Sequence, residues 1–150
     1  MAGMRVWKMK YIKITTLNKG WHDTDELLLH AAFQLLVDFI EKEHPDKMTD
    51  WSFDQTHRQA WKDIIKLYKW WKHKRPNRKN PIEDNNIIHP PFVSKKVLGT
   101  NYCEMIPPDR KKYSDYYRAL KKQIKLEDNW YKEDELMLHN LIEVRKYLWT

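Results

Sequence analysis

The run Lys69-Trp70-Trp71-Lys72-His73-Lys74-Arg75-Pro76-Asn77-Arg78-Lys79 mixes cations and aromatic rings more densely than any other part of the chain. Ammonium and guanidinium groups neutralise phosphates, and an indole face stacks on an unpaired base whatever its identity. The pattern points to nucleic acid. Candidate phosphate contacts are Arg58, Lys62, Lys66, Lys69, Lys72, Lys74, Arg75, Arg78 and Lys79, with Trp70 as a stacking or wedging ring. Arg118 and Lys122, beside Tyr116 and Tyr117, extend the track from a second basic segment. An acidic protein surface would be met by the same cations and is the alternative partner. The competing structural reading puts Trp71 in the core, packs Trp70 under the segment that follows, and leaves the cations at a helix C-terminus, where positive charge is favoured.

Other chemistry-bearing groups are sparser. Glu135, His139 and Glu143 are spaced by four, as are Glu26, His30 and Gln34. Carboxylate-bridged metal sites in helical bundles use Glu-x-x-His with further buried carboxylates, and this spacing differs. The expectation is therefore no metal and no cofactor, with a cryptic carboxylate/His site around Glu135, His139 and Glu143 as the enzymatic alternative. Cys103 is the single cysteine, so no intrachain disulfide forms, and no base lies beside it in sequence to activate it. Neither a glycine-rich phosphate loop nor a nucleophile elbow nor a zinc-binding helix motif is present. The reading leans against an enzyme.

Charge locates the candidate site. The net charge of +7 is uneven: Arg58–Lys79 carries nine Lys/Arg against the single acid Asp63, and Arg110–Lys125 carries seven against Asp115. Two basic segments sit on an acidic frame. The 150 residues, 8 Trp and only 3 Gly fit one folded domain of helices joined by polar and proline turns. The start lacks an apolar run suited to a signal peptide, and Leu27–Ile40 is too short and too often interrupted to span a bilayer, so no membrane is expected.

The elements that must position these groups follow from periodicity. Residues 6–17, rich in Val, Ile, Tyr and Thr, read as a strand. A first helix spans Thr24–Glu43, opened by a capping box of Asp23 and Glu26. It is apolar nearly all round, apart from a stripe of Glu26, His30, Gln34, Asp38 and Glu41, and should be the central core element. A second helix, Asp54–Lys74, follows the capping signal Ser52-Phe53-Asp54-Gln55. Its apolar face is read as Trp61, Ile64, Ile65, Tyr68 and Trp71, which places Trp70 nearly opposite. Replacing Trp70 with Ala should then cost less than about 1 kcal/mol, and Trp61→Ala roughly 3–5.

Residues 76–108 hold six of the seven prolines and read as a long irregular stretch, with short strands around Phe92-Val93, Val97-Leu98 and Tyr102–Ile106. A third helix runs from Asp109 to Leu126, Glu127-Asp128-Asn129 breaks the pattern, and a fourth covers Tyr131–Leu148. The fold expected is mainly α: a single-domain bundle of about four helices with a minor β element.

The stretch Trp21-His22-Asp23-Thr24-Asp25-Glu26-Leu27-Leu28-Leu29-His30 and its continuation to Glu41 resembles a group of small tailed-bacteriophage proteins of no assigned activity. Trp70-Trp71 with Arg75-Pro76, the segment Asp134–His139 and the end Arg145–Thr150 are similar to the same group. The resemblance is piecewise, covers about half the chain, and leaves 77–107 unmatched. It implies a phage product acting in the bacterial host cytoplasm or carried in a virion; separately, an oligomer is among the partner expectations. No functional residue is carried over from it.

Overall fold

The computed structural model of the chain describes residues 11–148. The protein is mainly helical with a small antiparallel sheet: α1 (Thr24–Glu43), α2 (Pro45–Met48), α3 (Gln55–Lys69), β1 (Ser94–Lys96), β2 (Cys103–Met105) and α4 (Ser114–Val144). A π-helical turn, Trp70–Lys74, continues α3, and 3-10 turns occupy Arg75–Asn77, Pro81–Glu83 and Arg145–Tyr147. The chain packs as two compact units. Residues up to Pro76, with those from Asp134 onward, form unit 1, and Asn77–Glu133 forms unit 2.

In unit 1, α1 carries Asp25 and Glu26 in its first turn, where acids suit the positive helix end. The expected capping box does not form. Asp23 makes no side-chain cap bond, and Glu26 lies instead 3.2 Å from His22 Nδ1. The helix stops at His44, which adopts the left-handed conformation with φ 51 before Pro45.

With α1 apolar nearly all round, the rest of unit 1 decides which face is buried. Leu29, Phe33, Leu36, Val37 and Phe39 go inward, while Leu28 and Leu35 stay exposed. Part of the polar stripe also goes inward, because the chain before α1 lies over it. Thr15 donates its backbone N–H and its hydroxyl to Gln34 Oε1 at 3.1 and 2.9 Å, and the Thr16 hydroxyl lies 2.6 Å from His30 Nδ1. The strand read over 6–17 is therefore corrected for residues 11–17, which are not a strand: Thr15 gives its N–H to a side chain rather than to a ladder. Residues 6–10 lie outside the described residues.

The core of unit 1 is aromatic. Phe33 stacks on Trp71 at 4.5 Å between ring centroids, and Trp51 stacks on Trp61 at 4.8 Å. The Trp51 indole N–H donates to the Pro45 carbonyl at 2.9 Å, so its polar atom is satisfied inside. Ile64 and Leu67 from α3, and Leu141 and Val144 from α4, complete the cluster.

Glu127-Asp128-Asn129 does not interrupt the last helix, which runs unbroken from Ser114 to Val144. Nothing in that triplet removes a backbone donor. Its polar side chains are exposed and bridge neighbouring turns: Gln123 donates to Glu127 at 2.7 Å, and Lys132 pairs with Asp128 at 2.6 Å. The start also moves. The Asp109 carboxylate accepts from the N–H groups of Lys111 and Lys112 at 2.7 and 3.0 Å, making a turn ahead of the helix.

Unit 2 holds the sheet. Of the strands expected in the middle segment, Tyr102–Ile106 contains β2, whereas β1 forms between the pieces read at Phe92-Val93 and Val97-Leu98; the two strands pair in the register Ser94↔Met105, Lys95↔Glu104 and Lys96↔Cys103. Lys95 lies opposite Glu104 in this register. Between the strands, the Thr100 N–H donates to the Val97 carbonyl at 3.2 Å, and Gly99 takes φ 77, as the third position of such a turn requires. Among the described residues, no helix is long and apolar enough to cross a membrane.

Candidate nucleic-acid interface

The candidate interface is built on α3. Asp54 caps it, accepting from the His57 N–H at 2.8 Å, and the Thr56 hydroxyl also donates to that carboxylate. These hydroxyl and N–H donors hold the Asp54 carboxyl well below the usual range. At about 100° per residue, Ala60, Ile64, Leu67 and Trp71 fall within one narrow arc, and all four are buried. Arg58, Lys62, Lys66 and Lys69 fall on the opposite arc and are all exposed. One amphipathic helix thus sorts these four candidate phosphate contacts onto a single stripe, roughly 16 Å long at 1.5 Å per residue.

The stripe is open for contact. Lys62, Lys66 and Lys69 make no ion pair with any described residue. Arg58 lies across the start of the helix, donating to the Ser52 carbonyl at 2.9 Å and to Gln55 Oε1 at 3.3 Å. Lys66 also borders a small cleft of about 230 Å³, where Asp63 and Glu143 supply the opposite charge.

Trp70 is corrected. It is 4% exposed and packs in the core, with its ring 5.3 Å from Phe33 and 6.1 Å from Trp71. The sequence reading centred the apolar face on Trp61 and Tyr68, which are only partly buried, and left out Ala60 and Leu67. Centred on the residues that are buried, the face turns toward Trp70. The π-helical turn, whose extra residue per turn lessens the rotation between neighbours, carries both Trp70 and Trp71, and both lie in the core. Both Trp of the Lys69–Lys79 run, Trp70 and Trp71, are buried, and Trp61 is stacked on Trp51.

Several candidate cations are occupied elsewhere. Lys72 pairs with Glu41 at 3.0 Å, and Tyr68 donates to the same carboxylate at 2.7 Å. The Tyr68 hydroxyl, followed by Lys72, draws the Glu41 carboxyl below its ordinary value. Arg75 turns inward, bidentate on Asp134, with its guanidinium 5.0 Å from the centre of the Trp71 ring. Lys74 remains exposed.

Of the candidates in unit 2, Arg78 pairs with Glu133 at 2.8 Å and lies over the Trp130 ring at 5.7 Å. Lys79, Arg118 and Lys122 converge on the rim of one cleft. Tyr116 and Tyr117 are engaged locally: Tyr116 meets the His89 ring edge-on at 5.5 Å, and Tyr117 donates to the Pro108 carbonyl at 3.1 Å.

Sequence reasoning missed the burial of His30 and Gln34, whose polarity pointed outward. It also missed the apolar floor beneath Lys79 and Lys122, since the segment that supplies part of it has no periodicity to read. Glu135, His139 and Glu143 lie exposed along α4, and among the described residues no three His, Cys, Asp or Glu side chains gather to hold a metal ion. Compared with known protein families, curated proteins and solved structures, the chain matches none.

Proposed function

We propose that this protein is a non-enzymatic accessory protein of a bacteriophage that binds nucleic acid through the exposed face of α3. One observation carries the reading: Arg58, Lys62, Lys66 and Lys69 form one stripe opposite the buried face, and its three lysines have no ion-pair partner among the described residues. Four cations in a row neutralise backbone phosphates without reading sequence. Because Trp70 lies in the core, the contact is electrostatic rather than a stack on unpaired bases.

The test is a salt titration of binding to a short duplex DNA and to one of its strands. Each phosphate contact contributes about 0.7–0.9 to the slope of log affinity against log salt. Replacing Lys62, Lys66 and Lys69 together with Gln should lower the slope by roughly 2–3 and weaken binding to every sequence alike. Absence of binding at low salt would remove nucleic acid as the partner and leave the stripe to an acidic protein.

A further inference from the structure

A second recognition surface lies wholly within unit 2 and shares no residue with α3. On α4, Asp115, Arg118, Ala119, Lys122 and Leu126 recur at helical spacing and so share one face. The Lys79–Ile87 segment lies against that face, and between them is an open cleft of about 490 Å³. Its floor is apolar, from Pro81, Ile87, Ala119 and Leu126, and its rim carries Lys79, Arg118 and Lys122. The volume falls within the range of small-ligand sites, and an apolar bed with a few charged groups at its edge is the usual make-up of such sites.

The charge on the rim is available to an anion. Lys79 and Lys122 make no ion pair with any described residue. Two acids share the cleft, and its three cations exceed them by one charge. Asp84 accepts from the Asn86 backbone N–H at 2.9 Å and from the Asn86 side-chain amide at 3.0 Å. Asp115 meets Arg118 at 3.4 Å, a loose pair whose side chains are 77% and 80% exposed and which an incoming phosphate can displace. The guanidinium of Arg118 offers a fork of donors that a phosphate accepts, and Lys79 and Lys122 line the same cleft. The apolar lining offers a surface to an apolar body attached to that phosphate.

We propose that this cleft binds a nucleoside 5′-phosphate, with the phosphate held by Lys79, Arg118 and Lys122 and the base lying over Ile87 and Leu126. The ligand is either a free mononucleotide or the 5′-phosphorylated end of a strand, since both present the same group.

The experiment titrates the full chain, followed by NMR chemical shifts, with AMP, adenosine, inorganic phosphate and a 5′-phosphorylated oligonucleotide whose 5′-hydroxyl form is the control. AMP should bind more tightly than either adenosine or phosphate, with shifts at Lys79, Ile87, Lys122 and Leu126. Lys79→Gln and Lys122→Gln should each weaken AMP about fivefold, the size of an exposed charge contact. Ile87→Ser should weaken AMP while leaving phosphate binding unchanged. Replacing Lys62, Lys66 and Lys69 of α3 with Gln should leave AMP affinity intact, so failure here and failure of the α3 interface are read separately. A 5′-phosphate preference in the oligonucleotide with no response to AMP assigns the cleft to a strand end. If neither AMP nor the 5′-phosphorylated strand is preferred over its control, or if Lys122→Gln changes nothing, the proposal is overturned.

Discussion

Arg75 grips Asp134 from 59 positions away in sequence, with Nε 3.2 Å from one carboxylate oxygen and Nη2 3.1 Å from the other. The side chains are 24% and 17% exposed, so the pair is screened less than a surface pair and is not fully desolvated. The guanidinium also faces the Trp71 ring, which ties the ion pair to the aromatic core. A double-mutant cycle of Arg75→Ala and Asp134→Ala, followed by denaturant unfolding, should give a coupling of about 1–2 kcal/mol, between the surface and buried limits. A coupling near zero would make the two residues independent. Arg75→Lys should recover little of the loss, since an ammonium has no fork to offer both oxygens.

The burial of Trp70 reverses the stability order expected from sequence. Trp70→Ala should cost about 3–5 kcal/mol, because the ring leaves a cavity against Phe33 and Trp71. Trp61, only partly buried, should cost about 1–3. Equilibrium unfolding of both variants checks the order, and a larger loss at Trp61 would return Trp70 to the surface.

Acid should loosen the seam between residues 15–16 and α1. Burial, reinforced by the Arg75 charge, pushes the His30 imidazole below its ordinary value, so folding favours the neutral ring. The unfolded chain then binds more protons. The contribution of His30 to stability is fully present above about pH 6.5 and is lost as pH falls from there through the depressed folded value. Thermal midpoints measured between pH 8 and pH 5 should fall more for the natural protein than for His30→Gln, which cannot charge. Parallel curves would show that His30 takes no part.

The continuity of α4 can be tested at its middle. Asn129 lies in an unbroken helix, so Asn129→Pro should cost about 3 kcal/mol or more, while Asn129→Ala should be neutral or slightly stabilising. Helical circular dichroism and urea midpoints separate these outcomes. A harmless proline there would mean a helix break at the place first read from sequence.

The sequence showed the mainly helical class and the small β element because long 3.6-residue periodicity and turn residues are local signals. It also showed the Lys62–Lys66–Lys69 stripe, since charge on a helix needs only the rotation angle to place it. It did not show the fate of Trp70, which depends on where the apolar centre of α3 falls and on the π-helical turn, and both are settled by packing against Phe33. The stripe of His30 and Gln34 misled for a similar reason: nothing in α1 reveals that Thr15 and Thr16 supply the partners that permit burial. At Glu127-Asp128-Asn129, polar composition imitated a loop although no proline or glycine enforced one. The cleft under Lys79 and Lys122 depends on a non-periodic segment meeting α4, a tertiary fact with no local signature.

The division of the chain bears on how the molecule is made. Unit 1 is discontinuous, and the whole of Asn77–Glu133 is interposed between its two parts. On the ribosome, α1 and α3 emerge before Asn77–Glu133, whereas Leu141 and Val144, which complete their core, emerge only after it. Unit 2 is one contiguous stretch, so it can begin to organise while the aromatic surface of Phe33, Trp70 and Trp71 still waits for its cover. For that interval the nascent protein presents its stickiest surface, and the acidic grip of Asp134 on Arg75 arrives just ahead of the apolar residues that close it.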